Sequence, residues 1–141
     1  MCCLDVDRVT WLECQLYAHF DLSCVGLSDP YVLVTLNDQK IHKTKIHKKT
    51  LNPVFNESVQ VAIPSRLRSN LQVRVFDYNV TKDFLLGVVD VDLAKLAPGQ
   101  VLEKEYMLSQ AKSGTLKLRM YFDAQQVFCQ SLKVEALSRN N

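Results

Sequence analysis

Alternation of apolar and polar residues with a period of two is the feature that most narrows what this chain can fold into. Val32, Val34 and Leu36 alternate with Leu33, Thr35 and Asn37, and Val59, Val61 and Ile63 with Gln60 and Ala62. Leu71, Val73 and Val75 alternate with Gln72 and Arg74, and Leu116, Leu118, Met120 and Phe122 with Lys117, Arg119 and Tyr121. Successive side chains of an extended backbone point to opposite faces, so each run predicts a strand with one buried face. Turn formers separate the runs: Asn37-Asp38, Asn52-Pro53, Pro64-Ser65, the loop from Asp77 to Phe84, Pro98-Gly99 and Ser113-Gly114. Short strands at this spacing predict an all-β sandwich. One helical turn is expected over Asp92 to Leu96, ahead of Pro98.

A chain of 141 residues is expected to form one domain with a real core. With 48% hydrophobic and 23% charged residues it is not a fully disordered polymer. The net charge of +2 says little, but its distribution says more. Lys40, Lys43, Lys45, Lys48 and Lys49 fall within ten residues, interleaved with His42 and His47. No apolar run approaches about 18 residues and no signal-peptide pattern is visible, so any membrane contact is expected to be peripheral. The five cysteines (Cys2, Cys3, Cys14, Cys24, Cys129) have neither metal-site nor disulfide-framework spacing and are expected as reduced thiols. The adjacent Cys2-Cys3 pair leaves a lipid anchor open as the alternative to ordinary terminal thiols.

The two ends are less regular. Before Gly26, Val9, Trp11, Leu12, Cys14, Leu16, Ala18, Phe20 and Leu22 permit a first strand without fixing its register. After Phe122, Val127, Phe128, Leu132 and Leu137 fall at loosely helical spacing, but nothing caps a helix there and a frayed tail is expected. The expected organisation is a poorly matched segment at 1–25 that permits a first strand, a domain at 26–123, and a tail at 124–141.

Several short motifs come in a telling order. Gly26-Leu27-Ser28-Asp29-Pro30-Tyr31-Val32 puts an Asp at a loop tip and a Pro where a strand begins. Leu36-Asn37-Asp38-Gln39-Lys40 follows, then Lys43-Thr44-Lys45 and the run from Lys48 through Asn52-Pro53-Val54-Phe55-Asn56-Glu57. Ser65-Arg66, Val75-Phe76-Asp77-Tyr78-Asn79, Leu85-Leu86-Gly87, Asp92-Leu93 and Ser113-Gly114-Thr115-Leu116 complete the set. From Gly26 to about Phe122 this order resembles the C2 domain, and within that family the C2 domains of tricalbins and extended synaptotagmins. The resemblance implies an eight-stranded antiparallel β-sandwich of Greek-key type that docks on phospholipid surfaces.

The same resemblance implies a Ca2+ site of five acidic positions on two facing loops. Here the first falls on Ser23, with Asp21 two residues away. Asp29 and Asp77 are retained, Asn79 replaces a carboxylate, and Phe84 stands at the fifth position with Asp83 beside it as the candidate substitute. Ca2+ takes about six to eight oxygen ligands, and affinity falls as ligand charge is removed. Ca2+ is therefore expected to bind with low affinity or not at all. Asp29 and Asp77 also have a plainer reading as turn residues that cap their own backbone amides. Phe84 is expected at the loop tip, either as an apolar wedge for a membrane or as part of the loop's own packing.

Lys43 and Lys45 share one strand face, and His47 and Lys49 follow by the same count if the strand stays regular. The resemblance implies that such a strand holds an anionic headgroup, with Tyr31 and Phe76 beside it. Strand lysines that merely discourage edge-to-edge pairing are the alternative. Catalysis is not expected: His19, His42 and His47 have no evident nucleophile or carboxylate pair. Nucleic-acid binding is not expected either, since no interleaved stacking aromatics or recognition helix accompany the lysines. The sequence thus predicts a module for anionic membranes containing phosphatidylserine and phosphoinositides, Ca2+-independent or weakly Ca2+-dependent. The implied location is the cytosolic face of contacts between endoplasmic reticulum and plasma membrane, in proteins that assist lipid transport. A protein-interaction scaffold with a degenerate calcium site is the alternative.

Overall fold

Asn37 and Asp38 take left-handed conformations, with φ of 50° and 68°, as a two-residue hairpin whose twist matches its strands requires. They join β2 (Pro30–Leu36) to β3 (Gln39–Lys43). The computed structural model describes residues 10–19, 28–97, 99–111 and 114–122. The other strands are β1 (Thr10–His19), β4 (Glu57–Ile63), β5 (Leu71–Asp77), β6 (Phe84–Val91), β7 (Val101–Met107) and β8 (Thr115–Phe122). One sheet has the order β4-β1-β8-β7 and the other β3-β2-β5-β6, with antiparallel pairing throughout. The chain changes sheet between β1 and β2, β3 and β4, β4 and β5, and β6 and β7. This is the expected antiparallel sandwich. The expected helical turn is a 3-10 turn at Leu93–Lys95, where the Asp92 carboxylate accepts from the Ala94 amide at 3.2 Å. Among the described residues no helix is long and apolar enough to cross a membrane.

β1 acquires its register from two neighbours. Leu12 pairs with Val61 of β4 on one side and with Phe122 of β8 on the other. Residues 10–19, upstream of Gly26, thus supply a central strand of one sheet. Cys2 and Cys3, the candidate ligands Asp21 and Ser23, and the segment 124–141 lie outside the described residues.

Ile63, Leu71, Val73, Val75, Leu116, Leu118, Val32 and Val34 are fully buried between the sheets, each contributing about 1.5–3 kcal/mol by leaving water. β2 departs from the expected single buried face. Tyr31, Leu33 and Thr35, on the opposite side from Val32 and Val34, are buried too. β2 lies between β3 and β5, where Leu33 has Lys43 and Arg74 as cross-strand neighbours. Long side chains there cover apolar surface with their stems while their charged ends reach water.

Gly87 of β6 lies directly against Leu108, the residue after β7. A Cβ at this position would stand 2.6 Å from the Leu108 Cβ, beside the bridge that joins Val88 to Ser109. Gly87→Ala is therefore expected to destabilise the fold by about 1–3 kcal/mol through overpacking. The urea midpoint measures this, and an unchanged midpoint would contradict the packing.

Candidate functional site

Thr44 fixes the segment that follows β3. Its amide donates to the Val32 carbonyl (2.9 Å), and its buried hydroxyl accepts from the Val32 amide (2.8 Å) and donates to the Lys45 carbonyl (3.0 Å). With Thr44 drawn inward, Lys43 and Lys45 on either side are exposed. Lys43 Nζ lies 4.6 Å from the centroid of the Tyr31 ring. Tyr31 stacks on Phe76, its partner across the sheet, with centroids 5.5 Å apart and planes inclined by 18°. An ammonium over an aromatic face is held by the ring quadrupole. The stack gives it a stiff floor.

Tyr31 is 6% exposed. Its hydroxyl donates to Asp83 Oδ2, and Asp83 Oδ1 accepts from the Asn79 amide at 2.9 Å. Burial, then the hydrogen bond to Asp83 and that carboxylate's charge, push the Tyr31 phenol up to about 12. The Tyr31 hydrogen bond, then the Asn79 amide, hold the Asp83 carboxyl below the usual carboxylate range, with Lys43 adding to the effect. The folded state thus holds the phenolic proton more tightly than the unfolded chain does. That contribution to stability is complete below the ordinary value of 10.0 and is lost as pH rises towards about 12. Urea midpoints of the parent protein are expected to fall more steeply over this window than those of Tyr31→Phe. Parallel curves would contradict the assignment.

The carboxylates of the loops are engaged with backbone. Asp77 Oδ1 accepts from the Asp29 amide (2.9 Å), and Asp29 Oδ1 accepts from the Lys49 amide (2.7 Å). The Asp29 carbonyl accepts from the Tyr78 amide (2.9 Å), so three loops are stapled at one end of the sandwich. Among the described residues no three His, Cys, Asp or Glu side chains group as a cation site. Asp29 and Asp77 adjoin, whereas both oxygens of Asp83 are taken by Tyr31 and Asn79. The described donors do not fit the six to eight oxygens that Ca2+ requires.

The other predicted residues disperse. His47 packs edge-on against buried Phe55, with centroids 4.8 Å apart. β3 ends at Lys43, so Lys45, His47 and Lys49 lie beyond the strand whose period-two count would have aligned them, and Lys49 has φ 54°. The Lys45 amide donates to Glu57 Oε2 (2.9 Å), and Glu57 Oε1 pairs with His42 Nε2 (3.0 Å). Phe84 is not at a loop tip: it is the first residue of β6, paired with Asp77. It is nonetheless 57% exposed, and Val80, within the loop that this pairing closes, is 90% exposed. Tyr78 and Leu85 are exposed beside them. Four exposed apolar side chains thus fall within residues 78–85. Sequence reasoning missed Val80 because it sits alone among polar loop residues. It missed the role of Asp83 because Tyr31, its partner, is 52 residues away.

The family described as C2 domain matches residues 8–108 of this chain, β1 included. Extended synaptotagmin-2-A of Xenopus laevis is 32% identical over 119 residues, covering 82% of this chain and 14% of that protein. Tricalbin-3 of Saccharomyces cerevisiae is 33% identical over 103 residues, covering 72% of this chain and 6% of that protein. The solved C2A domain of plant Extended Synaptotagmin 1 aligns with a TM-score of 0.70 at 22% identity, covering 82% of this chain and 95% of that one. A structure of the SMP, C2A and C2B domains of Extended-Synaptotagmin 2 aligns with a TM-score of 0.72 at 22% identity, covering 82% and 28%. The chain spans 14% or less of the length of these two curated relatives.

Proposed function

This chain belongs to the C2 domain family, and we propose that it is a non-catalytic module that docks peripherally on anionic phospholipid membranes. The observation that carries this reading is the placement of Lys43 over the Tyr31–Phe76 stack, on the sheet whose end bears exposed Val80 and Phe84. Lys45, Lys48, Lys49 and Lys82 are exposed as well. A lysine near an anionic leaflet adds about 1 kcal/mol of attraction. A fully buried apolar side chain adds about 1.5–3 kcal/mol. The basic face thus recruits the domain and the apolar loop holds it, on leaflets containing phosphatidylserine or phosphoinositides. The similarity to extended synaptotagmins and a tricalbin supports a place on the cytosolic side of contacts between endoplasmic reticulum and plasma membrane. Several linked modules would there add their affinities.

Docking in this reading needs little or no Ca2+. Millimolar Ca2+ is expected to add about 0.4 kcal/mol of stability or less if its dissociation constant is at or above that concentration. This corresponds to a melting shift under about 2 °C. A large shift at micromolar Ca2+ would contradict it. Flotation with vesicles of phosphatidylcholine alone, or with added phosphatidylserine and phosphatidylinositol 4,5-bisphosphate, tests the docking itself. Binding to the anionic vesicles alone, in Ca2+ and in chelator alike, is expected. No binding to either would replace this reading with that of a protein-interaction scaffold.

A further inference from the structure

Lys43 shares its site with a fixed negative charge. Asp83 is bonded at both oxygens, to the Tyr31 hydroxyl and to the Asn79 amide, and these bonds hold its carboxylate at the edge of the Tyr31 ring. The Tyr31 ring joins the two charges, with the Lys43 ammonium over its face and Asp83 at its hydroxyl. The fields overlap enough for Lys43 to help keep Asp83 ionised. The exposed cations nearest in sequence are Lys45 after Lys43 and Lys82 before Asp83, and neither pairs with Asp83 in the described contacts.

We propose that Asp83 is a specificity-determining residue of this site, discriminating against multiply charged headgroups and favouring surfaces of singly charged glycerophospholipids such as phosphatidylserine. The inference rests on the membrane-docking reading above and names the ligand class of that same site. Repulsion from a fixed charge grows in proportion to the ligand's own charge. Phosphatidylserine brings about one net negative charge, whereas each phosphomonoester of a phosphoinositide adds about −1.5 to −2. Lys43 and Asp83 bear on the same Tyr31 ring, and charges closer together than the Debye length of about 8 Å at physiological salt are screened least. Asp83 therefore subtracts most from the binding of the most highly charged lipid and narrows the advantage that lipid would otherwise have.

Asp83→Asn removes the charge but keeps the shape and an oxygen acceptor, and Asp83→Ala removes the hydrogen bonds as well. Dissociation constants are measured at physiological salt on two vesicle types of equal total charge, one with phosphatidylserine and one with phosphatidylinositol 4,5-bisphosphate. Asp83→Asn is expected to bind the bisphosphate vesicles at least about fivefold more tightly, and the phosphatidylserine vesicles by no more than about twofold. Asp83→Ala, if folded by circular dichroism, serves as the structural control. An equal gain on both lipids, no gain, or a loss of binding in both variants would overturn the inference and leave membrane docking standing. Failure of the parent protein to bind either vesicle would overturn the docking reading itself, and the inference with it.

Discussion

Replacing Lys43 and Lys45 together with alanine is expected to weaken binding to phosphatidylserine and phosphatidylinositol 4,5-bisphosphate vesicles about thirtyfold. Each lysine supplies about 1 kcal/mol of attraction to an anionic leaflet, and about 2 kcal/mol is a factor of about thirty. The fold should survive. Both side chains are exposed, and the contacts that seat the segment are made by Thr44 and by the Lys45 amide, which alanine retains. Loss of the Lys43 ammonium removes the cation from the Tyr31 ring and leaves the Phe76 stack in place. Sedimentation with vesicles reads the affinity and circular dichroism reads the fold. Parent binding should also weaken as salt rises, since the attraction is screened. A folded double variant that binds as well as the parent would show that this patch is not the lipid site.

Replacing Val80 and Phe84 together with serine is expected to cost still more, about a hundredfold in vesicle affinity. Two apolar side chains that leave water on docking contribute about 3 kcal/mol between them at half of the upper full-burial value of about 3 kcal/mol each. Both are exposed in the free protein, so melting should scarcely move, as for other surface substitutions. The salt dependence separates the two variants. Without the apolar pair, the remaining binding should be the salt-sensitive part, whereas the lysine variant should retain a salt-insensitive remainder. Unchanged affinity in the serine variant would show that Val80 and Phe84 do not leave water on docking.

Much of the sandwich was legible in the sequence because β4, β5 and β8 each bury alternate residues, and turn formers stand where the chain reverses. β1 was harder for a physical reason. Its register is set by β4 on one side and β8 on the other, partners remote in sequence. The second buried face of β2 was hidden for a related reason, since the cover comes from the neighbouring strands β3 and β5. In the site, the pairing of Tyr31 with Phe76 and the approach of Lys43 follow from strand position and the family pattern. The local count failed where the backbone left the extended region. Lys49 turns at positive φ, and His47 is drawn to Phe55. The strand start at Phe84 is not legible in the sequence, because it rests on pairing with Asp77 across the loop. The hydrogen bonds of Asp83 to Tyr31 and Asn79 are not legible locally, since Tyr31 lies 52 residues away.

The orientation of the docked domain is the sharpest consequence of placing lysines and exposed apolar residues at one end. Leu67 is also exposed, but it lies in the link between β4 and β5, at the other end of the sandwich. That link is tied to the β2–β3 hairpin through Asn37 and Asn70. Val80→Trp and Leu67→Trp place a fluorophore at each end, and the parent protein with its Trp11 supplies the baseline. Vesicles carrying brominated acyl chains quench an indole that enters the headgroup and acyl boundary. On anionic brominated vesicles, added quenching is expected for Val80→Trp and none above the baseline for Leu67→Trp. Equal quenching of the two, or quenching of Leu67→Trp alone, would contradict docking through this end of the molecule.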